Sequence, residues 1–500
     1  MTLTCGLAFA QQGAAPAPTA PPPPSASTSA EAPQPAPPVT AAPATPAAIP
    51  APAAAATAAP STAPTVAPPP VAVAPAAQVE VSAEPNVPGA RPTAHLPRED
   101  NPLVPPGERA RMSPREVSPG IVFTPGEGID IQSADHDFSV GIGFRFQLLY
   151  TLLDKDPTTD KTDQSIQIRR ARLQFAGHAF GVHNKYRLEL AVSPTDVSQT
   201  SSAVTTSPLL EAYTEFDYLR DLTVRAGQFK VPYDRMRVTS DMARQLVDYS
   251  GTTTEFSLDR DLGVDLKSND LFGLGLLRYH LALLSGKGRN SFAPQDMGLM
   301  YLARLEVLPL GLFDDYSEGD FQRTKPRLSV GGAFAHITDA RRDRGTQGNL
   351  PLDAGGSTDF NMAEGDLVFK MYGLSLEGGY YWRHGDRNPG SLEVNGKPIT
   401  DATGKAITGP SPSRDGTGVV AQGGYLLPRL PLEVAARYAN IRGSTDPLHN
   451  GLKDSNELGG GVNYYFAQHQ LKLQTDYFRI YSSDLSSGYN QFRVQLQLVM

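Results

Sequence analysis

The side chains that could do chemistry in this sequence are cations without a catalytic partner. Arg170, Arg172, Arg187, Arg225, Arg304, Arg437 and Arg493 fall at one parity of alternating segments, on the polar face. The same face carries Glu189, Glu211, Glu215, Asp217, Asp265, Glu306, Glu377, Glu433 and Asp476. Fixed guanidinium groups on a wall favour anion passage and carboxylates favour cations, because a narrow low-dielectric pore magnifies fixed charge. A mixed wall can also pair with itself across neighbouring strands. No GxSxG, HExxH, GxxxxGK[ST] or strand-following GxGxxG motif is present, so an enzyme is not expected. The nine histidines are scattered, most beside turns, and read as solvated side chains. Asp259, Asp261 and Asp265 could hold a hard cation, but the usual loop glycine is missing and salt bridges to Arg260 or a neighbouring strand are expected instead. No metal and no cofactor is expected.

The elements that position these residues are strands. In the last eleven residues Phe492, Val494, Leu496, Leu498 and Met500 alternate with Gln491, Arg493, Gln495 and Gln497, a strict period of two. The device recurs in Tyr186–Val192, Leu299–Leu305, Leu374–Trp382 and Leu432–Tyr438. About sixteen such segments begin near residues 137, 165, 183, 208, 221, 262, 274, 298, 327, 364, 373, 416, 431, 456, 469 and 489, which leaves about 24 residues per unit, enough for a tilted membrane strand and its connection. Long loops are expected at 154–164, 194–207, 231–261, 313–326, 339–358 and 385–414. No window of about 18 uncharged apolar residues exists, so no membrane helix is expected.

A soluble sandwich would alternate as well, with its polar face in water. A transmembrane antiparallel β-barrel reverses the assignment: the apolar face meets lipid, the polar face lines a lumen, and closure leaves no unpaired edge. The all-β membrane barrel is the expected fold. Tyr218, Tyr233, Tyr301, Tyr380, Trp382 and Tyr438 would form its interfacial girdles. One irregularity interrupts the pattern. Ile166 and Ile168 share one parity and Ala171, Leu173 and Phe175 the other, so the face flips near Arg169 and Arg170; a β-bulge there, or a strand beginning at Arg170, accounts for it.

Several stretches, in order and spacing, resemble the phosphate-selective porins of Gram-negative outer membranes, the porin O and P family. They are RRARLQFAGHAF (169–180), KYRLELAV (185–192), EAYTEF (211–216), VRAGQFKVPYD (224–234), DRDLGVDL (259–266), LEVAARY (432–438) and ELGGGVNYYF (457–466). The resemblance covers about 120–500. It implies a 16-stranded outer-membrane channel, commonly trimeric, that passes small anions or other polar solutes by diffusion. It also implies a long loop that folds inward and narrows the pore, at the position of Val231 to about Arg260. Lys230, Arg235, Arg237 and Arg244 become constriction candidates, unless they face outer water or pair with Asp234, Asp241 and Asp248. Pro232 would end the preceding strand because it cannot donate to the ladder, and Gly227 would keep the inner wall thin. The last residue, Met500, departs from the aromatic that usually closes such barrels.

The N-terminal part reads differently. Residues 1–12, MTLTCGLAFAQQ, resemble a truncated export signal ending in Ala8-Phe9-Ala10, or an ordinary apolar leader. Residues 13–119 begin with a run of Ala, Pro, Ser, Thr and Val that is expected to be a disordered linker in the periplasm. It could tether the membrane to cell-wall polymer or trail as a passive tail. A net charge of -8 with dispersed Lys and Arg argues against nucleic acid. The lone cysteine, Cys5, excludes an intramolecular disulfide.

Overall fold

The computed structural model describes residues 115–118, 120–124, 126, 128–156, 161–197, 207–291, 298–401 and 403–500. The expected export signal at 1–12 and nearly all of the expected linker lie outside these residues.

Sixteen antiparallel strands form a closed barrel. They are β1 (Ser139–Asp156), β2 (Lys161–His178), β3 (Asn184–Ala191), β4 (Leu209–Leu219), β5 (Leu222–Lys230), β6 (Arg260–Ser268), β7 (Leu277–Leu284) and β8 (Met300–Val307). They continue with β9 (Arg327–Ala340), β10 (Ser357–Met371), β11 (Leu374–Asn388), β12 (Gly416–Leu426), β13 (Leu432–Gly443), β14 (Ser455–Ala467), β15 (Leu471–Tyr481) and β16 (Gly488–Val499). Each pairs with the next, and β16 closes on β1 from Asn490↔Asp154 to Val499↔Arg145. Below that seam a short strand at Gly128–Gln132 takes over as the partner of Ser139–Ile142, so the long first stave is hydrogen-bonded along most of its length. Closure matters because an open edge in hydrocarbon would strand backbone groups that no water can satisfy.

Alternation decides what each face meets. Ile166, Leu281, Leu305, Val434 and Leu458 point outward and are about half exposed or more. Leaving one such side chain in water forgoes about 1.5–3 kcal/mol, so a continuous belt of them specifies lipid as the outer solvent. Tyr218, Tyr301, Tyr380, Trp382 and Tyr438 also point outward. Tyr233 does not: it is fully buried inside the barrel, packed with Phe229, Val231 and Leu258 against Leu302, Ala335, Phe360 and Met362, so it belongs to no girdle.

The strand starts follow the alternation within about three residues at most positions, with two differences. β10 begins at Ser357 rather than near 364, and β1 and β2 run to Asp156 and from Lys161, so the long loop expected at 154–164 is a short connection. Polar residues such as Asp154, Asn361 and Glu364 can occupy a strand that rises above the membrane or faces a wet interior. The bulge is where the sequence puts it. Gln147 pairs with Arg170 and Leu148 with Ile168, leaving Arg169 as the extra residue, and both arginines reach Asp248 inside the barrel. Gly227 has a different reason from the one expected. Its φ is +132°, and a Cβ would lie 2.3 Å from the Ala212 carbonyl oxygen and 2.7 Å from Tyr213 Cα, so the close approach of β4 requires glycine.

Candidate functional site in the barrel lumen

The segment 231–259, between β5 and β6, folds into the barrel and crosses it. Val231 still donates to the Asp259 carbonyl at 2.8 Å, and Pro232 then ends the ladder. Two short helical turns shape the loop. Asp234 caps Arg235–Val238 by accepting from the Met236 amide at 2.9 Å, and Ser250 caps Gly251–Phe256 by accepting from the Thr253 amide at 2.9 Å. Gly418 on β12 permits the second turn to lie against the wall, since a Cβ there would sit 2.5 Å from Thr252.

The middle of the loop is held from the far wall. Arg145 donates to Ser240 Oγ at 3.1 Å, Gln497 to the Met242 carbonyl at 2.8 Å, and Lys472 and Gln474 to the Arg244 carbonyl at 2.6 and 3.1 Å. Asn463 donates to the Gln245 carbonyl at 2.7 Å. The wall thus supplies the donors that the loop carbonyls lose on leaving water, which is what a buried non-regular segment requires.

A second loop, residues 308–326 between β8 and β9, enters from the end of the barrel that holds the C-terminus. The Glu318 amide donates to the Ala243 carbonyl at 2.8 Å, and the Gln245 amide donates to Glu318 Oε2 at 2.6 Å. The two loops therefore meet inside the lumen. The sequence marks 313–326 as a long loop, but not its direction; the signal was the acidic run Asp314, Asp315, Glu318 and Asp320, complementary to the basic stretch 230–244.

Each constriction candidate lies in or at this crossing and has a protein partner. Lys230 donates to the carbonyls of Arg237, Val238 and Thr239 at 3.1 to 3.4 Å. Arg235, fully buried, pairs with Asp366 at 2.6 Å, with Glu306 at 3.4 Å and with Asp315. Arg237 pairs with Asp259 at 2.5 Å and lies over the Tyr249 ring. Arg244 stacks on Tyr249, its guanidinium carbon 3.6 Å from the ring centroid, with Glu318 at 3.9 Å. Its Nε and Nη1 have no hydrogen-bond partner among the described residues. Of the carboxylates weighed as partners, Asp234 instead caps a helical turn, and Asp241 and Asp248 take arginines of β2.

All seven arginines chosen by parity face inward and are paired. Arg170 reaches Asp248 at 3.4 Å and Asp241 at 3.6 Å, and Arg172 reaches Asp241 at 2.7 Å, Asp196 at 2.5 Å and Glu189 at 3.0 Å. Arg187 pairs with Glu189 and Glu211, Arg225 with Glu215 at 2.6 Å, and Arg304 with Glu306 and Glu364, each at 2.9 Å, and with Asp366. Arg437 pairs with Glu457 at 2.5 Å and Arg493 with Asp476 at 2.7 Å. The wall is a lattice of paired charges rather than a cationic ring. The parity set leaves out Arg260, Arg278, Lys370 and Arg383, which pair with Glu211, Asp315, Asp314 and Glu255 and extend that lattice, and Arg145 and Lys472, which donate to the loop instead. The three aspartates near 260 do not converge: Asp259 pairs with Arg237, Asp261 accepts from Ser285 and the Gly286 amide, and Asp265 faces His280.

Burial works to raise the loop carboxyls of Asp241 and Asp248, but it is overcome. Arg170, Lys230 and Arg172 hold Asp241 well below the usual carboxylate range, and Arg169 and Arg170 do the same for Asp248. Between the second half of the loop and β13–β16 lies a cavity of about 310 Å³, lined in part by Tyr249, Glu255, Arg437, Glu457, Tyr489 and Arg493.

The family model for phosphate-selective porin O and P matches residues 140–498. The chain belongs to this porin family. The match spans all but the first residue of β1 and the last of β16, so membership covers the whole barrel. Among individual proteins, an uncharacterized protein of Aquifex aeolicus is 23% identical over 277 residues, covering 52% of this chain and 60% of that relative. Solved structures are similar at low identity. The outer membrane channel DcaP of Acinetobacter baumannii is 11% identical, with 75% of this chain and 100% of that one covered and a TM-score of 0.46. OmpT of Vibrio cholerae, in its trimer form, is 12% identical, with 72% and 99% covered and a TM-score of 0.44. This porin is a membrane-embedded barrel of the outer membrane.

Proposed function

We propose that this porin passes small polar solutes across the outer membrane by passive diffusion, without enzymatic chemistry, and that anions such as phosphate are the preferred class. The observation that carries the channel reading is the inward loop 231–259, which narrows a closed barrel with a charged inner face. Anion preference draws on the family and on Arg244, whose buried guanidinium has two donors that meet no acceptor among the described residues at the crossing of the two loops. Lys230, Arg235 and Arg237 act in this reading as supports that hold the loop, and the parity arginines as an inner wall whose charge is largely balanced. Planar-bilayer recording of the purified chain tests both steps. Discrete conductance steps are expected, with a reversal potential of anion sign in a salt gradient; no steps would remove the channel reading, and cation sign would remove only the preference.

The functional unit is proposed to be a homotrimer, with residues 13–119 on the periplasmic side. Cross-linking in native membranes distinguishes a trimer from a monomer. A tether to cell-wall polymer rests on residues outside the described barrel, and deletion of 13–89 with retained conductance separates it from channel activity.

A further inference from the structure

Three side chains from separate parts of the sequence converge at the barrel rim opposite the C-terminus. His384 lies near the end of β11, Asp415 immediately precedes β12, and His449 belongs to the connection between β13 and β14. His384 Nδ1 lies 2.6 Å and His449 Nδ1 2.9 Å from the same oxygen, Asp415 Oδ2, and all three donor atoms fall within 4.8 Å of one another. The other oxygen, Oδ1, is occupied: it accepts from Ser413 Oγ at 2.7 Å and from the Gly385 amide at 2.9 Å. Those bonds fix the carboxylate and leave Oδ2 directed at the two rings. The imidazoles stand 5.0 Å apart between centroids, and Trp382 stacks along His384 on the outer side. The carboxylate is buried while both histidines keep part of their surface in water, so the cluster has an entry path.

We infer that His384, Asp415 and His449 form a binding site for a divalent transition-metal ion of the zinc class. Two imidazoles and one carboxylate are the donor set such ions take, with bonds of about 2.0–2.2 Å, and a water can complete a tetrahedron. Ligand atoms in that tetrahedron stand about 3.3 Å apart, so the two rings need to open from Asp415 by several tenths of an ångström, and the two imidazole donors, within 4.8 Å of each other, need to close by up to about 1.5 Å. Ser413 and the Gly385 amide serve as the outer partners that orient the carboxylate. Calcium and magnesium are disfavoured, because they take oxygen ligands in larger number. The ion would tie the connection 389–415 to the connection 444–454. It would also stiffen the hold on the inward loop, since the sequence neighbours Arg383 and Arg414 both grip Glu255, at 2.5 and 2.7 Å.

The test uses the full chain in detergent micelles, stripped with chelator and titrated with Co²⁺ and then Zn²⁺. Near one equivalent of Co²⁺ per chain is expected to give the intense visible bands of a tetrahedral nitrogen and oxygen site, lost on adding Zn²⁺. His384→Gln and His449→Gln should each abolish these bands, and Ser413→Ala should weaken binding by about tenfold. Migration of unheated samples in detergent gels checks that each variant retains its barrel. Absence of the bands in the wild-type chain overturns the proposal whatever the variants do. Bands that survive in the folded double variant His384→Gln/His449→Gln overturn it too, because the ion would then sit on other histidines.

Discussion

The root and the middle of the inward loop are held by opposite physics. At its root, Phe229, Val231, Tyr233 and Leu258 are fully buried against Ala282 and Leu284 of β7, Met300 and Leu302 of β8, Ala335 and Ile337 of β9, and Phe360 and Met362 of β10. Here the inner wall is apolar, contrary to the rule that the inner face of such a barrel is wet. Across the middle, residues 239–249 are held mainly by polar groups, Arg145, Arg170 and Arg172 of β1 and β2 and Lys472, Gln474 and Gln497 of β15 and β16, with one small apolar contact of Leu246 on Ala435 and Phe478. Apolar burial responds little to pH or to moderate ionic strength, whereas charge pairs respond to both. The root should therefore behave as a fixed anchor and the middle as the adjustable part.

The largest effect is expected beside the root, where a buried charge network borders the apolar cluster and Arg304 donates to the Tyr233 carbonyl. Arg304→Met removes the cation shared by Glu306, Glu364 and Asp366 and should cost about 3–5 kcal/mol, because carboxylates are left buried with too few partners. Urea unfolding in lipid vesicles, followed by the single tryptophan, Trp382, measures it. Phe360→Ala should cost roughly 3 kcal/mol in the same assay by opening a cavity under the loop root. If its effect matched that of a surface residue, the anchor would be misplaced.

Smaller effects are expected in the middle. Asp248→Asn weakens the hold of Arg169 and Arg170 and should leave unfolding nearly unchanged while increasing open-channel noise in bilayer recordings. The pH response has a definite sign. Asp241 and Asp248 have depressed values in the folded chain, so their contribution is complete above the unfolded carboxylate value, about 3.9, and is lost as pH falls through the lower folded values. Noise should thus stay flat from about pH 7 to about pH 5 and rise only below about pH 4. On unfolding, Ser250→Ala removes one helix cap and should cost about 1 kcal/mol, less than either root variant.

Much of the barrel was legible because strand alternation is local. The seven parity arginines needed only their own strands to be placed inside, and the flip at Arg169 was visible as a change of phase before any partner was known. The partners were not legible in that way. Arg235 meets Asp366 across 131 residues, and Gln245 meets Glu433 across 188. Nothing in the period of either strand encodes which facing residue the loop will reach. The histidines show the same limit: read one by one they are turn-side residues, and only the closeness of β11, β12 and the 444–454 connection brings two of them to one carboxylate.

By itself, then, the sequence determined the number of staves, the face each side chain takes and the place where a proline ends β5, since these depend on a two-residue period and on backbone chemistry. Tertiary structure alone decided that a second loop enters from the other end, that part of the inner wall of β7–β10 is apolar under the loop root, and that the wall arginines pair with carboxylates rather than stand open. The reason is that closing the barrel brings residues more than a hundred positions apart within hydrogen-bond reach, and pairing across that space is fixed by geometry no local pattern carries.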